Sequence, residues 1–170
     1  MLSDSWTEII IVAGSLLLGL PIPILAAQIL WVNLIEDSLP NMALAFDIGE
    51  PHVMKEKPRR RNAPIMDGQM KTLVFGVGII TSLLLFGLYY YLLRLGHDLA
   101  FIRTMVFVGL GINSLFYIYS IRSFHRFIWQ INLFSNKLLL SSTVISLVML
   151  VSAVYVPFLQ TILRTMPLAL

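Results

Sequence analysis

Long apolar stretches separated by short polar connections dominate this 170-residue sequence. Five apolar segments stand out, at about residues 8–20, 24–46, 73–93, 101–120 and 138–158. The later segments are near the roughly 20 residues that a helix needs to cross a hydrocarbon core of about 30 Å, and the first is shorter. The pattern predicts an all-α membrane protein with five transmembrane helices, the first of them truncated.

Polar residues interrupt the second segment, where positions 31–40 read WVNLIEDSLP. Asn33, Glu36 and Asp37 precede Pro40 there, although a carboxylate at bilayer depth costs roughly 2.5–3.5 kcal/mol on insertion scales. Pro40 has no amide hydrogen, so the carbonyl of Glu36 lacks its usual helical donor. We therefore expect the second helix to be unwound near its middle and to offer oxygen atoms to a cation.

The first two segments form a hairpin whose turn is centred near Ile22, and this places another acid at the same level. Glu8 and Glu36 are equally far from that turn along the chain. At about 1.5 Å per residue, both lie roughly 20 Å from it. Asn33, Glu36 and Asp37 also have the i, i+3, i+4 spacing of one helical face. These residues together suggest a cation site between two neighbouring helices.

Two simpler interpretations of the acids stay open. Glu8 lies close to Asp4 near the start of the chain, where it could be solvated. Glu36 and Asp37 could belong to a short interfacial loop between two half-segments. Neither interpretation explains why an amide, two acids and a proline gather at one level of an apolar segment.

Composition and charge support the membrane class. The chain is 58% hydrophobic and 12% charged, with a mean hydropathy of +0.84, whereas soluble domains have about 25% charged residues. Six of the twelve basic residues lie in 47–71 and three in 121–137, so the positive-inside rule makes these two loops cytosolic. The basic run at 55–61 needs no nucleic-acid partner to explain it, and none is expected. We predict an integral, multi-pass membrane protein.

Several kinds of chemistry are excluded by what the sequence lacks. There is no cysteine, and therefore no disulfide and no thiolate metal site. His52, His97 and His125 have no ligand-like spacing, and no glycine-rich phosphate loop or catalytic triad pattern is present. Residues 1–7 carry no Lys or Arg, unlike a signal peptide. The chain alone is expected to have no ATPase activity.

Two stretches carry a resemblance to a known family, GLPIPILAAQILWVNLIEDSLPNMALAFD and the loop VMKEKPRRRNAPIM. They resemble the C-terminal membrane region of cation-transporting P-type ATPases, in particular the calcium-pump branch. The resemblance runs from the latter half of the family's fifth membrane helix through the ninth. It implies that residues 1–170 are one membrane domain of an ATP-driven pump. Its partners would be the bilayer, the transported cation, and the N-terminal helices and cytosolic domains of the parent pump.

The resemblance also implies roles for single residues. Glu8 matches the ion-binding glutamate of the fifth helix, and Asn33 and Asp37 match the asparagine and aspartate of the sixth. Glu36 stands where the family motif has threonine, and Ser5 where calcium pumps carry asparagine.

A further departure concerns the eighth helix, whose acid would fall near Ser114, beside Asn113. The departures favour a single site, or a different ion, over a calcium pump of the two-site type.

The predicted metal ligands are therefore Glu8, Asn33, Glu36 and Asp37. All-oxygen coordination suits Ca²⁺ first, then Na⁺, Mn²⁺, Mg²⁺ or a proton, rather than copper or zinc. No cofactor is expected in this chain, and Mg-ATP would act only in the intact pump. Two other classes remain open: a secondary transporter or channel subunit, and a non-transporting helical membrane scaffold.

Overall fold

The computed structural model describes residues 2–46, 68–121 and 136–168. Within these ranges the chain is helical and contains no strand, which confirms the all-α prediction. The two loops predicted to be cytosolic lie almost entirely outside the described residues. The elements in chain order are α1 (Leu2–Leu17), α2 (Ala26–Trp31), a π-helix (Val32–Asp37), α3 (Ser38–Leu44), α4 (Gly68–Arg94), α5 (Leu99–Ile121), α6 (Lys137–Tyr155) and α7 (Pro157–Leu163).

Glycine, proline and one asparagine set the helix ends. Gly19 after α1 and Gly96 after α4 have φ angles of 66° and 75°, which residues with a Cβ rarely adopt. Asn136 caps α6, because its Oδ1 accepts from the amide of Leu139 at 2.9 Å. Pro157 occupies the first turn of α7, so α6 ends at Tyr155 and the fifth segment is not one helix to residue 158 as predicted.

The second segment is widened rather than unwound. Residues Val32–Asp37 form a π-helix that continues directly from α2 into α3. Trp31 and Ser38, which flank it, both have right-handed helical backbone angles. The predicted irregularity is therefore present at the predicted place, but the backbone there stays helical. A π-helical turn inside an α-helix is rare and is found frequently at functional sites.

Among the residues that the structure describes, three helices are long and apolar enough to cross a membrane: Val74–Arg94, Leu99–Ile118 and Lys137–Tyr155. α1 has 16 residues, and the second segment is divided among α2, the π-helix and α3. By length and composition, the structure thus supports three of the five predicted spans among the described residues.

α1 runs parallel to α4, because Thr7 contacts Gly78 and Gly14 lies against Phe86 further along both helices. The described helices enclose a small apolar cluster of Ala43, Ile118 and Leu139 and two larger ones. α1 packs along α4, α5 packs against α4, the π-helix and α6, and α6 also packs against α3. One of the larger clusters joins α1, α4 and α5, and the other joins the π-helix, α5, α6 and α7. Their buried members include Ile11, Leu85, Tyr89, Val106 and Leu110 in the first, and Val32, Phe107, Leu150, Ala153 and Val154 in the second.

The turn between α1 and α2 is held against this framework at its closed end. The hydroxyl of Tyr89 donates to the carbonyl of Pro21. The Nε of Arg103 donates to the carbonyl of Ile22 at 2.9 Å. Since α4 and α5 each bind one carbonyl of the turn, they fix the position of α1 relative to the second segment. The polar residues of the first hairpin lie at its opposite end.

Candidate cation site

Two acids on α1 point into the protein. Asp4 is 2% exposed and Glu8 is 8% exposed. α1 begins at Leu2, earlier than the apolar pattern indicated, so both acids are in the helix. Being four residues apart, they lie about one turn apart on the same face. The interpretation of Glu8 as a solvated residue near the chain start is therefore wrong.

Glu8 meets the second segment at the π-helix. The Nδ2 of Asn33 donates to Oε1 of Glu8 at 3.2 Å and lies 3.5 Å from Oε2. The structure thus brings together two of the four predicted ligands. They come from the two segments of the hairpin, which the number of residues from the turn had predicted to be neighbours at this depth. A carboxylate and an amide in contact provide oxygen atoms of the kind that hard cations prefer.

A second polar contact on α1 was missed by the sequence reasoning. Asp4 accepts a hydrogen bond of 3.3 Å from Nδ2 of Asn113 on α5. The Oδ1 of Asn113 in turn accepts from the hydroxyl of Thr81 on α4 at 3.2 Å. The signal that could have identified Asp4 is its i, i+4 spacing from Glu8, which puts both acids on one face of α1.

Serine hydroxyls bind two backbone carbonyls of the π-helix. Ser38 donates to the carbonyl of Asn33 at 2.9 Å. Ser146 of α6 donates to the carbonyl of Ile35, also at 2.9 Å. The widened turn is therefore supported both from within its own segment and from a neighbouring helix.

Glu36 and Asp37 lie in the last part of the π-helix. The structure describes their backbone, whereas their side chains lie outside what it describes. Their expected alignment with Asn33 assumed 3.6 residues per turn. A π-helical turn contains more residues, so that spacing argument does not carry over unchanged.

Among the side chains that the structure describes, no group of three or more acidic, histidine or cysteine residues could hold a metal ion. Glu8 and Asn33 therefore account for only part of the predicted ligand set. The centroid of the His97 ring lies 5.1 Å from that of Phe101 at the start of α5.

Comparison with known proteins identifies a family for this chain. The family model described as "Cation transporting ATPase, C-terminus" matches residues 21–170. The chain is 32% identical over 169 residues to a calcium-transporting ATPase of Bacillus subtilis, with 97% of the chain aligned. It is 34% identical over 177 residues to calcium-transporting ATPase 1 of Bacillus cereus, with 95% aligned. A cation-transporting ATPase of Synechocystis, pma1, is 28% identical over 160 residues, with 91% aligned.

All three of these relatives are much longer than this chain. The aligned region makes up 18% of the Bacillus subtilis protein, 20% of the Bacillus cereus protein and 18% of the Synechocystis protein. The chain therefore spans about a fifth of the length of the curated relatives it matches.

Proposed function

Because this chain belongs to the cation-transporting P-type ATPase family, whose C-terminal membrane region it matches over residues 21–170, we propose that it forms the cation-binding membrane part of an ATP-driven pump. In this proposal residues 1–170 are one membrane domain with five spans. ATP hydrolysis would take place in other parts of the pump. The bilayer, those other parts and the transported cation would be its partners.

The contact between Glu8 and Asn33 carries the proposal. It joins a buried carboxylate on α1 to a π-helix in an apolar segment. Burying a carboxylate is costly unless hydrogen bonds, an opposite charge or a metal ion compensate for it. A bound cation would supply that charge each time the site is loaded. We propose Glu8, Asn33, Glu36 and Asp37 as the ligands, with Glu36 and Asp37 approaching from the same π-helix.

Calcium is the proposed cargo. Oxygen ligands favour Ca²⁺, Na⁺, Mg²⁺ or Mn²⁺ over copper and zinc, and two relatives at 32% and 34% identity are named calcium-transporting ATPases. Calcium also tolerates irregular geometry with mixed carboxylate, amide and carbonyl ligands. A widened helical turn next to a second helix fits such a ligand set.

The test uses a chimaera in which residues 1–170 replace the matching region of the Bacillus subtilis calcium-transporting ATPase. We expect this chimaera to form a phosphorylated intermediate from ATP only when Ca²⁺ is present. Glu8→Gln and Asp37→Asn should each abolish the calcium-dependent formation of this intermediate, because each removes a ligand charge while keeping the shape of the side chain.

Ser142→Ala is the matched control. Ser142 is buried in α6, and its hydroxyl donates to Leu139 of the same helix. This variant should keep normal calcium-dependent phosphorylation. Normal ion dependence in both acid variants would refute the ligand assignment. A secondary transporter or a scaffold would be favoured if the unsubstituted chimaera bound calcium, or merely assembled, without any phosphorylation that depends on calcium.

A further inference from the structure

The backbone of the π-helix lies close to a proline that cannot donate a hydrogen bond. In the i→i+4 pattern of an α-helix, the amide of residue 40 would bind the carbonyl of Glu36. In the i→i+5 pattern of a π-helix, it would bind the carbonyl of Ile35. Residue 40 is Pro40, which has no amide hydrogen. In either pattern this stretch lacks one backbone donor.

A hydroxyl from another helix donates to one of these two carbonyls. The Oγ of Ser146 lies 2.9 Å from the carbonyl oxygen of Ile35, although the residues are 111 positions apart in the chain. Ser146 is 0% exposed, so water does not compete for the bond. α6 packs against both the π-helix and α3 at this level. The hydroxyl therefore ties the widened turn to a long, regular helix.

Serine side chains on helices commonly donate to a carbonyl of their own helix, and neighbouring residues of α6 do so. Ser142, one turn before Ser146, donates to Leu139 at 2.9 Å, and Thr143 donates to the same carbonyl at 2.8 Å. Ser146 differs because its hydroxyl reaches across to the π-helix. Two buried serines on one face of α6 thus make different kinds of bond.

We propose that Ser146 is a positioning residue for the cation site. Ile35 lies between Asn33 and the pair Glu36–Asp37, so holding its carbonyl fixes the peptide that joins the ligands of this segment. Without the hydroxyl, the turn is free to shift towards an ordinary α-helical pattern, and the side chains on either side of Ile35 rotate with it. A site held in its binding geometry loses less free energy to ordering when the ion binds. This inference depends on the proposed function, because it concerns the same site.

The test measures the Ca²⁺ concentration that gives half-maximal phosphorylation of the chimaera. Ser146→Ala should raise it about five-fold, which corresponds to one hydrogen bond of about 1 kcal/mol. Ser146→Cys keeps the shape of the side chain with a larger atom and a weaker donor, and it should give a smaller increase in the same direction. Ser142→Ala and Ser142→Cys should leave this concentration unchanged.

Thermal unfolding of the same variants separates positioning from structural support. A merely structural role would lower the melting temperatures of the Ser146 variants without changing their half-saturating calcium concentration, and this result would overturn the inference. Equal half-saturating concentrations for the Ser146→Cys and Ser142→Cys variants would overturn it as well, even if Ser146→Ala does not fold. If Glu8→Gln and Asp37→Asn abolish calcium dependence while the Ser146 variants behave normally, the proposed function stands and this inference alone fails.

Discussion

The two sides of α5 make contacts of opposite character. Towards α1 it presents Asn113, which donates to the buried carboxylate of Asp4. Towards α6 it presents Gly111, where the backbone comes so close to Leu150 that an added Cβ would lie 2.8 Å from a methyl carbon. The two residues are only two positions apart. A buried acid and a half-buried amide thus meet on the α1 side, and close apolar packing occurs on the α6 side.

This difference indicates a division of roles between the helices. Asp4 and Glu8 on α1 are buried acids, whereas the buried polar residues of α6 are serines. Helices in membranes associate through close packing of small residues and through hydrogen bonds rather than a hydrophobic driving force between them. α6 fits that pattern, and its Ser146 donates to the π-helix, while α1 contributes two buried acids.

The largest effect on stability is expected on the polar side of α5. Asp4→Leu should lower the free energy of unfolding by about 2–3 kcal/mol, since it removes the buried carboxyl group that accepts from the half-buried amide of Asn113. Unfolding of the purified chain in detergent micelles measures this loss. The double variant Asp4→Leu/Asn113→Leu should recover part of it, because the half-buried amide of Asn113 is then no longer left without this acceptor. If Asp4→Leu alone were as stable as the unsubstituted chain, the hydrogen bond between Asp4 and Asn113 would not contribute to stability.

A smaller effect is expected on the packed side. Gly111→Ala should cost about 1 kcal/mol, because the new methyl group would meet two terminal carbons of Leu150, which is itself buried. Gly76→Ala is the matched control: nothing lies within 4 Å of a Cβ added there. That change should leave stability unchanged or raise it by up to about 1 kcal/mol. Equal losses for the two variants in the same unfolding measurement would show that the close approach of α5 to α6 does not contribute to stability.

Much of the helical architecture could be predicted from local signals. The apolar runs identified the five segments, the proline-rich stretch at 21–23 predicted the first turn, and Pro40 marked an irregular turn at the right place. Counting equal numbers of residues from Ile22 placed Glu8 at the level of Glu36, and in the structure Glu8 contacts Asn33 of the same segment. These inferences work because helix length and proline geometry are properties of the nearby chain.

The remaining features depend on residues far apart in the sequence. The spacing of Asp4 from Glu8 places both acids on one face of α1, but its burial follows from the packing of α1 against other helices. A carbonyl of the π-helix accepts from Ser146, which lies more than a hundred residues beyond Ile35. Nothing in the local sequence distinguishes a serine that bonds across helices from one that bonds within its own, as the comparison with Ser142 makes clear.

The most direct test of the account is equilibrium binding of radioactive Ca²⁺ to the chimaera in the absence of ATP, with and without Glu8→Gln. Binding without ATP reports on the site itself, whatever limits the later steps. The account predicts saturable calcium binding that Glu8→Gln removes and that Ser142→Ala leaves intact. Undiminished, saturable binding in the Glu8→Gln protein would contradict the claim that α1 and the π-helix together form the cation site.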